Sequence, residues 1–136
     1  MATIELVRRV SFSSAHRLHS ENLSSAENLR VFGKCNNLHG HGHNYVLEAS
    51  IRGKVDPATG MLMNLTDLKT ILTEEIERRF DHKHLNHDTE EFRALNPTAE
   101  NVAIVCWKLL SARLPGLLYE VRLRETENNL VVYRGE

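Results

Sequence analysis

The stretch Cys35-Asn36-Asn37-Leu38-His39-Gly40-His41-Gly42-His43 places a thiol beside three of the chain's 8 histidines. The residues that follow, Tyr45 to Ile51, carry a strand pattern. In a strand, residues i and i+2 project to one face, so His41 and His43 would stand side by side. Gly40 and Gly42 remove the side chains between them, which lets a ligand or a second backbone approach. Two imidazoles so placed make half of a transition-metal site. The pair His39/His41 has the same spacing, so spacing alone leaves the choice of pair open. His16 ends the first predicted strand, where it becomes a third ligand if the first two strands pair. A hydrogen-bonded histidine at a strand end is the plain alternative.

Three protein ligands leave the fourth position of a tetrahedral ion free for water or substrate, the mark of a catalytic centre. Cys35 fits two roles by type, a fourth ligand or a base acting on a metal-bound substrate. Asp81-His82 supplies a carboxylate and an imidazole, the partners that lower a thiol's pKa and relay its proton. Sequence neighbours on a regular helix do not face each other. That pair therefore works only if the helix has ended by Asp81, or if the two side chains meet across a subunit interface.

The elements that must position these groups read as follows. Ile4 to Phe12 alternates as a first strand, and a second runs from about His43 to Lys54. Ser25 to Phe32 holds a short helical turn. Asp56-Pro57-Ala58-Thr59-Gly60 is a turn, and Met61 to Met63 completes a strand. A helix starts near Asn64 or Thr66 and carries the stripe Leu65, Leu68, Ile71, Leu72, Ile76 and Phe80. Asp81 to Asp88 is a loop, and a second helix spans Thr98 to Leu114, with Cys106 packed as a small hydrophobe. Two last strands, Leu117 to Glu125 and Leu130 to Arg134, are joined by a hairpin through Thr126 to Asn129. The order β-β-α-α-β-β predicts an α+β fold, one four-stranded antiparallel sheet with two helices on one face.

The chain has 136 residues, 41% hydrophobic and 26% charged, which suits one domain spanning 1–136 with a single core. Its formal charge of -1 gives no overall field to draw nucleic acid or an anionic membrane. No run reaches the apolar length of a membrane span, and no apolar signal segment precedes the first strand. Two cysteines, Cys35 and Cys106, make no disulfide framework, so the expected setting is the reducing cytoplasm. Ser11 follows Arg8-Arg9-Val10 in a basic-directed kinase pattern, and is read foremost as an ordinary strand residue.

In combination and order, several motifs give the chain a resemblance to the 6-pyruvoyl-tetrahydropterin synthase family over nearly its whole length. They are Ser11-Phe12-Ser13-Ser14-Ala15-His16-Arg17-Leu18, Phe32-Gly33-Lys34-Cys35-Asn36-Asn37, Gly40-His41-Gly42-His43-Asn44-Tyr45 and Asp56-Pro57-Ala58-Thr59-Gly60. Further on come Asp81-His82-Lys83, Thr98-Ala99-Glu100-Asn101, Glu125-Thr126 and Asn128 to Glu136. The resemblance implies the tunnelling fold, assembled as a homohexamer of two trimers with active sites between subunits. It implies conversion of 7,8-dihydroneopterin triphosphate to 6-pyruvoyl-tetrahydropterin with loss of triphosphate, in tetrahydrobiopterin synthesis.

Residue by residue, it implies one zinc per chain on His16, His41 and His43, the last two chosen over His39 by the family's strand length. It also implies a relay of Cys35 with Asp81 and His82, a pterin anchor at Glu125, and pocket residues at Thr98 and Glu100. Ala99 departs from the animal pattern, where a second threonine stands. Arg17, Lys34 and Lys83 are the nearest cations for the triphosphate, with magnesium a further aid to its departure. His19, His84 and His87 are expected in exposed loops. The related 6-carboxy-tetrahydropterin synthases of deazapurine synthesis share the histidines, the cysteine, the Asp-His pair and the glutamate, and form the alternative. The spacing of Cys35 from His41 and the Cys-Asn-Asn run favour the biopterin enzyme.

Overall fold

Two long strands form the spine of the molecule, whose computed structural model describes residues 1–136. β1 (Thr3–His16) and β2 (His41–Lys54) pair antiparallel along their whole length, from Thr3 opposite Lys54 to His16 opposite His41. Between them lie α1 (Ser25–Phe32) and a 3₁₀ turn, Gly33–Asn36. α1 starts with a capping box: the Ser24 hydroxyl accepts from the Glu27 N–H, and the Glu27 carboxylate accepts from the Ser24 N–H.

After β2, the side chain of Asn64 caps α2 (Leu65–Leu72), which continues through a π-helical turn, Thr73–Glu77, into α3 (Arg78–Phe80). Leu68, Ile71, Leu72, Ile76 and Phe80 are buried along this run as its periodicity predicts, whereas Leu65 at its start is exposed. β3 (Lys83–His84), α4 (Leu85–Asp88), α5 (Ala99–Arg113), β4 (Leu118–Thr126) and β5 (Asn129–Tyr133) complete the chain. The inward side chains of the sheet (Phe12, Tyr45, Leu47, Ala49, Ile51, Val121 and Leu123) join those of α2, α3 and α5 in one core. Cys106 lies wholly inside it, packed as a small hydrophobe. No helix is long and apolar enough to cross a membrane.

The sheet corrects the expectation of four antiparallel strands. It has five, in the order β3-β1-β2-β4-β5, and β3 lies parallel to β1. The cause lies at the end of α3. Asp81 leaves the helix with extended backbone, and His82 takes a left-handed conformation, φ 60°, without being glycine. That corner lays Lys83 and His84 along Ser14 and Ala15 instead of releasing a loop. The His82 N–H donates to the Ser13 carbonyl at 2.7 Å, and the Ser13 N–H donates to Asp81 Oδ1 at 2.8 Å, fixing the corner to β1. Met61 to Met63 is not a strand; only an isolated bridge joins Asp56 to Met61. Ser11 is an exposed strand residue opposite Val46.

The two glycines of the histidine stretch differ. Gly40 has φ 77°, and a Cβ there would lie 2.6 Å from the His16 carbonyl oxygen, so only glycine lets the turn into β2 approach the end of β1. Gly42 has ordinary strand geometry, and its added Cβ would lie 3.6 Å from the Ser14 carbonyl oxygen, a normal contact. No close approach requires it. In denaturant titrations, Gly40→Ala should therefore cost about 1–3 kcal/mol, while Gly42→Ala should be neutral or slightly stabilising. Equal effects of the two changes would contradict this assignment of strain.

Candidate active site

The β1–β2 register brings three imidazoles to the same end and face of the sheet. His16 is opposite His41, and Ser14 is opposite His43, so the three alternate with the outward Ala15 and Gly42. Their ring centroids lie 5.3 Å (His16–His41), 5.0 Å (His16–His43) and 4.8 Å (His41–His43) apart. One ring nitrogen from each falls within 4.8 Å of the others. The Nε2 atoms of His41 and His43 are 3.3 Å apart. Two nitrogens on one tetrahedral zinc, each at about 2.0–2.1 Å, stand roughly that far from each other. His39 is exposed and outside the cluster.

His16 is wholly buried, and its Nδ1 lies 2.8 Å from the Tyr45 hydroxyl. Its Nε2 is buried with no hydrogen-bond partner. A buried polar nitrogen without a partner is costly unless something else occupies its lone pair. Burial, reinforced by the neighbouring His43 and His41, holds the His16 imidazole down at about 4, so the ring is neutral and its lone pair free near pH 7. Burial likewise lowers His43, against the opposing pull of Glu125. The donor set therefore fits a metal ion: three converging ring nitrogens, a neutral His16, and a partner on the far nitrogen of His16 that fixes its ring.

Glu125, on β4, reaches this cluster. Its Oε1 lies 3.2 Å from His43 Nε2, with both side chains mostly buried. A cavity of about 450 Å³ opens beside it, with Leu18, Phe32, Thr98, Glu100 and Glu125 in its wall. The three residues expected to bind substrate thus share one cavity, which Glu125 joins to the histidine cluster through its contact with His43. Thr98 has a structural duty as well, since its hydroxyl caps α5 by accepting from the Asn101 N–H at 3.2 Å. Ala99, also in the wall, offers no side-chain hydrogen bond. Cys35 is partly buried, and burial followed by the nearby Glu125 carboxylate raises its thiol above the ordinary range. Neither influence within the protomer activates the thiol.

Asp81 and His82 do meet, because the helix ends at Phe80. The His82 Nδ1 lies 2.8 Å from Asp81 Oδ2, while Asp81 Oδ1 accepts from Ser13. The Ser13 bond, then His82, lowers the Asp81 carboxyl. His82 is 85% exposed. It lines a hollow with Ser13, Ser14, Ala15, Gly42, Lys83 and His84, of which Ser13, Ala15 and Gly42 alternate with the cluster's side of their strands and face outward. Cys35 is not among the residues that line this hollow, and no hydrogen bond joins it to the pair.

Other expectations divide. Arg17 and Lys83 line different cavities, and Lys34 is exposed, so the three cations do not gather in one place. His87 is exposed as expected. His19 and His84 are half-buried, because the chain around each is tied down: His84 lies in β3, and His19 bonds to Asn36 and Asn96. Tyr45 and Ser13 were not among the site residues read from sequence. Tyr45 carried a signal, since the i, i+2 rule that paired His41 with His43 extends to it.

The family model described as 6-pyruvoyl tetrahydropterin synthase matches residues 5–136. A human protein named 6-pyruvoyl tetrahydrobiopterin synthase is 52% identical over 133 residues, covering 97% of this chain and 92% of that one. A protein of the same name from Dictyostelium discoideum is 52% identical over 134 residues, with 98% of each chain covered. The solved structure of Caenorhabditis elegans 6-pyruvoyl tetrahydropterin synthase superposes with a TM-score of 0.95 at 45% identity, covering 100% of this chain and 98% of that one. With matches over nearly its full length, the chain belongs to the 6-pyruvoyl tetrahydropterin synthase family.

Proposed function

We propose that this chain is a zinc-dependent lyase that converts 7,8-dihydroneopterin triphosphate to 6-pyruvoyl-tetrahydropterin and inorganic triphosphate. The observation that carries the reading is the buried, unpartnered Nε2 of His16 converging with His41 and His43 beside the cavity that holds Glu125. The names of the relatives supply the class of product, a 6-pyruvoyl pterin, and the triphosphate substrate follows from the family resemblance. Zinc on the three histidines supplies an open coordination position and a Lewis acid for the substrate's side-chain hydroxyl oxygens.

The chain's own residues do the rest. Glu125 anchors the pterin by accepting from its ring N–H and amino groups, and Thr98 and Glu100 shape the same cavity. Cys35 takes protons from the hydroxyl-bearing carbons of the side chain and returns them after triphosphate leaves. The side chain is oxidised as the ring is reduced, so no external reductant is needed.

A thiol whose pKa is raised by burial and a carboxylate needs a partner to accept its proton. His82 can serve, because Asp81 engages its Nδ1 and leaves Nε2 free. As the pair lies outward of the protomer's own triad, it reaches a Cys35 only from a neighbouring subunit. This supports sites shared between subunits, and the homohexamer of two stacked trimers follows from the family resemblance.

Turnover of 7,8-dihydroneopterin triphosphate by the purified protein, with products identified by mass spectrometry, tests the reading. 6-Pyruvoyl-tetrahydropterin with released triphosphate supports it; 6-carboxy-tetrahydropterin with acetaldehyde, or no turnover, contradicts it. Metal analysis of His41→Ala and His43→Ala should show loss of zinc, while His39→Ala keeps one ion per chain. The reverse pattern would show that the wrong pair has been assigned. Cys35→Ala should retain zinc and bind pterin, yet lose roughly two to four orders of magnitude in turnover, the usual effect of removing a positioned base. Loss of zinc in that variant, or near-wild-type activity, would remove Cys35 from the base role.

A further inference from the structure

Cys35 sits on a 3₁₀ turn, Gly33–Asn36, between exposed Lys34 and half-buried Asn36, with no sheet to hold it. Its backbone is instead tied to the chain just beyond β1. The Leu18 N–H donates to the Cys35 carbonyl at 2.7 Å, and Arg17 Nε donates to the Asn36 carbonyl at 3.1 Å. The side chain of Asn36 then reaches back. Its amide nitrogen lies 2.7 Å from the Leu18 carbonyl and 3.1 Å from His19 Nδ1.

These contacts determine the amide and the imidazole together. The Leu18 carbonyl can only accept, so the atom facing it must be the Asn36 nitrogen and not its oxygen. That nitrogen has two protons, one committed to Leu18 and the other aimed at His19 Nδ1. His19 Nδ1 must then accept, which leaves the proton of the neutral ring on Nε2. His19 is itself anchored, since its N–H donates to Asn96 Oδ1 at 3.1 Å. The same short segment therefore follows His16 on one side and clamps the residue after Cys35 on the other.

We infer that Asn36, with His19 as its acceptor, is a positioning residue that holds the Cys35 thiol in register with the three-histidine cluster. The inference rests on the reading of Cys35 as the base. It adds that a carboxamide and an imidazole, neither touching substrate, set where that base stands. A thiol held this way is half-sheltered and fixed. Once the clamp is opened, the turn swings, the thiol becomes more accessible, and its reach to the substrate is lost.

The test is iodoacetamide alkylation of the zinc-loaded protein, in which the wholly buried Cys106 is silent, run beside steady-state turnover. Asn36→Asp keeps the shape and deletes both donated protons; His19→Leu deletes only the acceptor. Both should alkylate Cys35 at least about threefold faster than wild type. Both should also lose about 10- to 100-fold in kcat, as displacement of a reacting group does, with KM and zinc content little changed. His19→Asn places an accepting oxygen where Nδ1 stood and should restore wild-type alkylation and kcat.

Wild-type alkylation in both Asn36→Asp and His19→Leu overturns the clamp, whatever happens to turnover. A His19→Asn protein as defective as His19→Leu overturns the role of His19 as acceptor. If Asn36→Asp fails to fold, His19→Leu, which leaves Asn36 in place, decides the question. Wild-type turnover by Cys35→Ala would instead remove the base assignment, and the alkylation rates would still decide whether Asn36 positions the thiol.

Discussion

The antiparallel register of β1 and β2 is the constraint on which the site depends. Because side chains alternate with a period of two, a slip of one residue would send His16 to one face and His41 and His43 to the other. The ladder runs without a break from Thr3 opposite Lys54 to His16 opposite His41, and the core packs on the same parity through Phe12, Tyr45 and Leu47. Burying the apolar side chains thus selects the register that gathers the imidazoles. Gly40 permits the last step, since no other residue lets the turn into β2 pass so near the His16 carbonyl.

Burial at this end of the sheet carries a chemical consequence as well as a cost. His16 is excluded from water, kept neutral, and oriented by Tyr45, leaving its Nε2 without a hydrogen bond. In a core, such an atom is destabilising by itself. Beside two further imidazoles and a cavity, it is an open valence that a metal ion would fill. Glu125 closes one flank of that set and belongs equally to the cavity wall, which joins the metal position to the place where a pterin ring would lie. The Asp81–His82 pair is built on another principle. Ser13 holds Asp81, and Asp81 holds His82, whose ring is left exposed, so that in the proposed mechanism its partner thiol would come from a neighbouring subunit.

Much of this was legible from residues alone, and the part that was not has definite physical causes. Strand parity points to a pair of histidines within His39, His41 and His43, and the capping and stripe signals locate the principal helices. Tyr45 obeys the same parity rule, but only the pairing of the two strands brings its hydroxyl to His16. β3 has only two residues, too few to show any period, so Asp81 to Asp88 read as a loop. The left-handed turn at His82 carries no glycine to mark it. Pairings far apart in sequence, such as Asn36 with His19, leave no local trace, which is why His19 read as a solvated loop residue. The choice of His41 and His43 over His39 rested on a family strand length until the geometry showed His39 outside the cluster.

The account stands or falls on an open three-histidine centre with the thiol nearby but unbound. X-ray absorption at the zinc edge of the purified metal-loaded protein, without substrate, reads that arrangement directly. The account predicts three nitrogen scatterers at about 2.0–2.1 Å with oxygen completing the shell, and outer-shell features of three imidazoles. A sulfur scatterer at about 2.3 Å would make Cys35 a ligand and close the position that substrate needs, and a first shell with fewer than three imidazoles would contradict the centre itself.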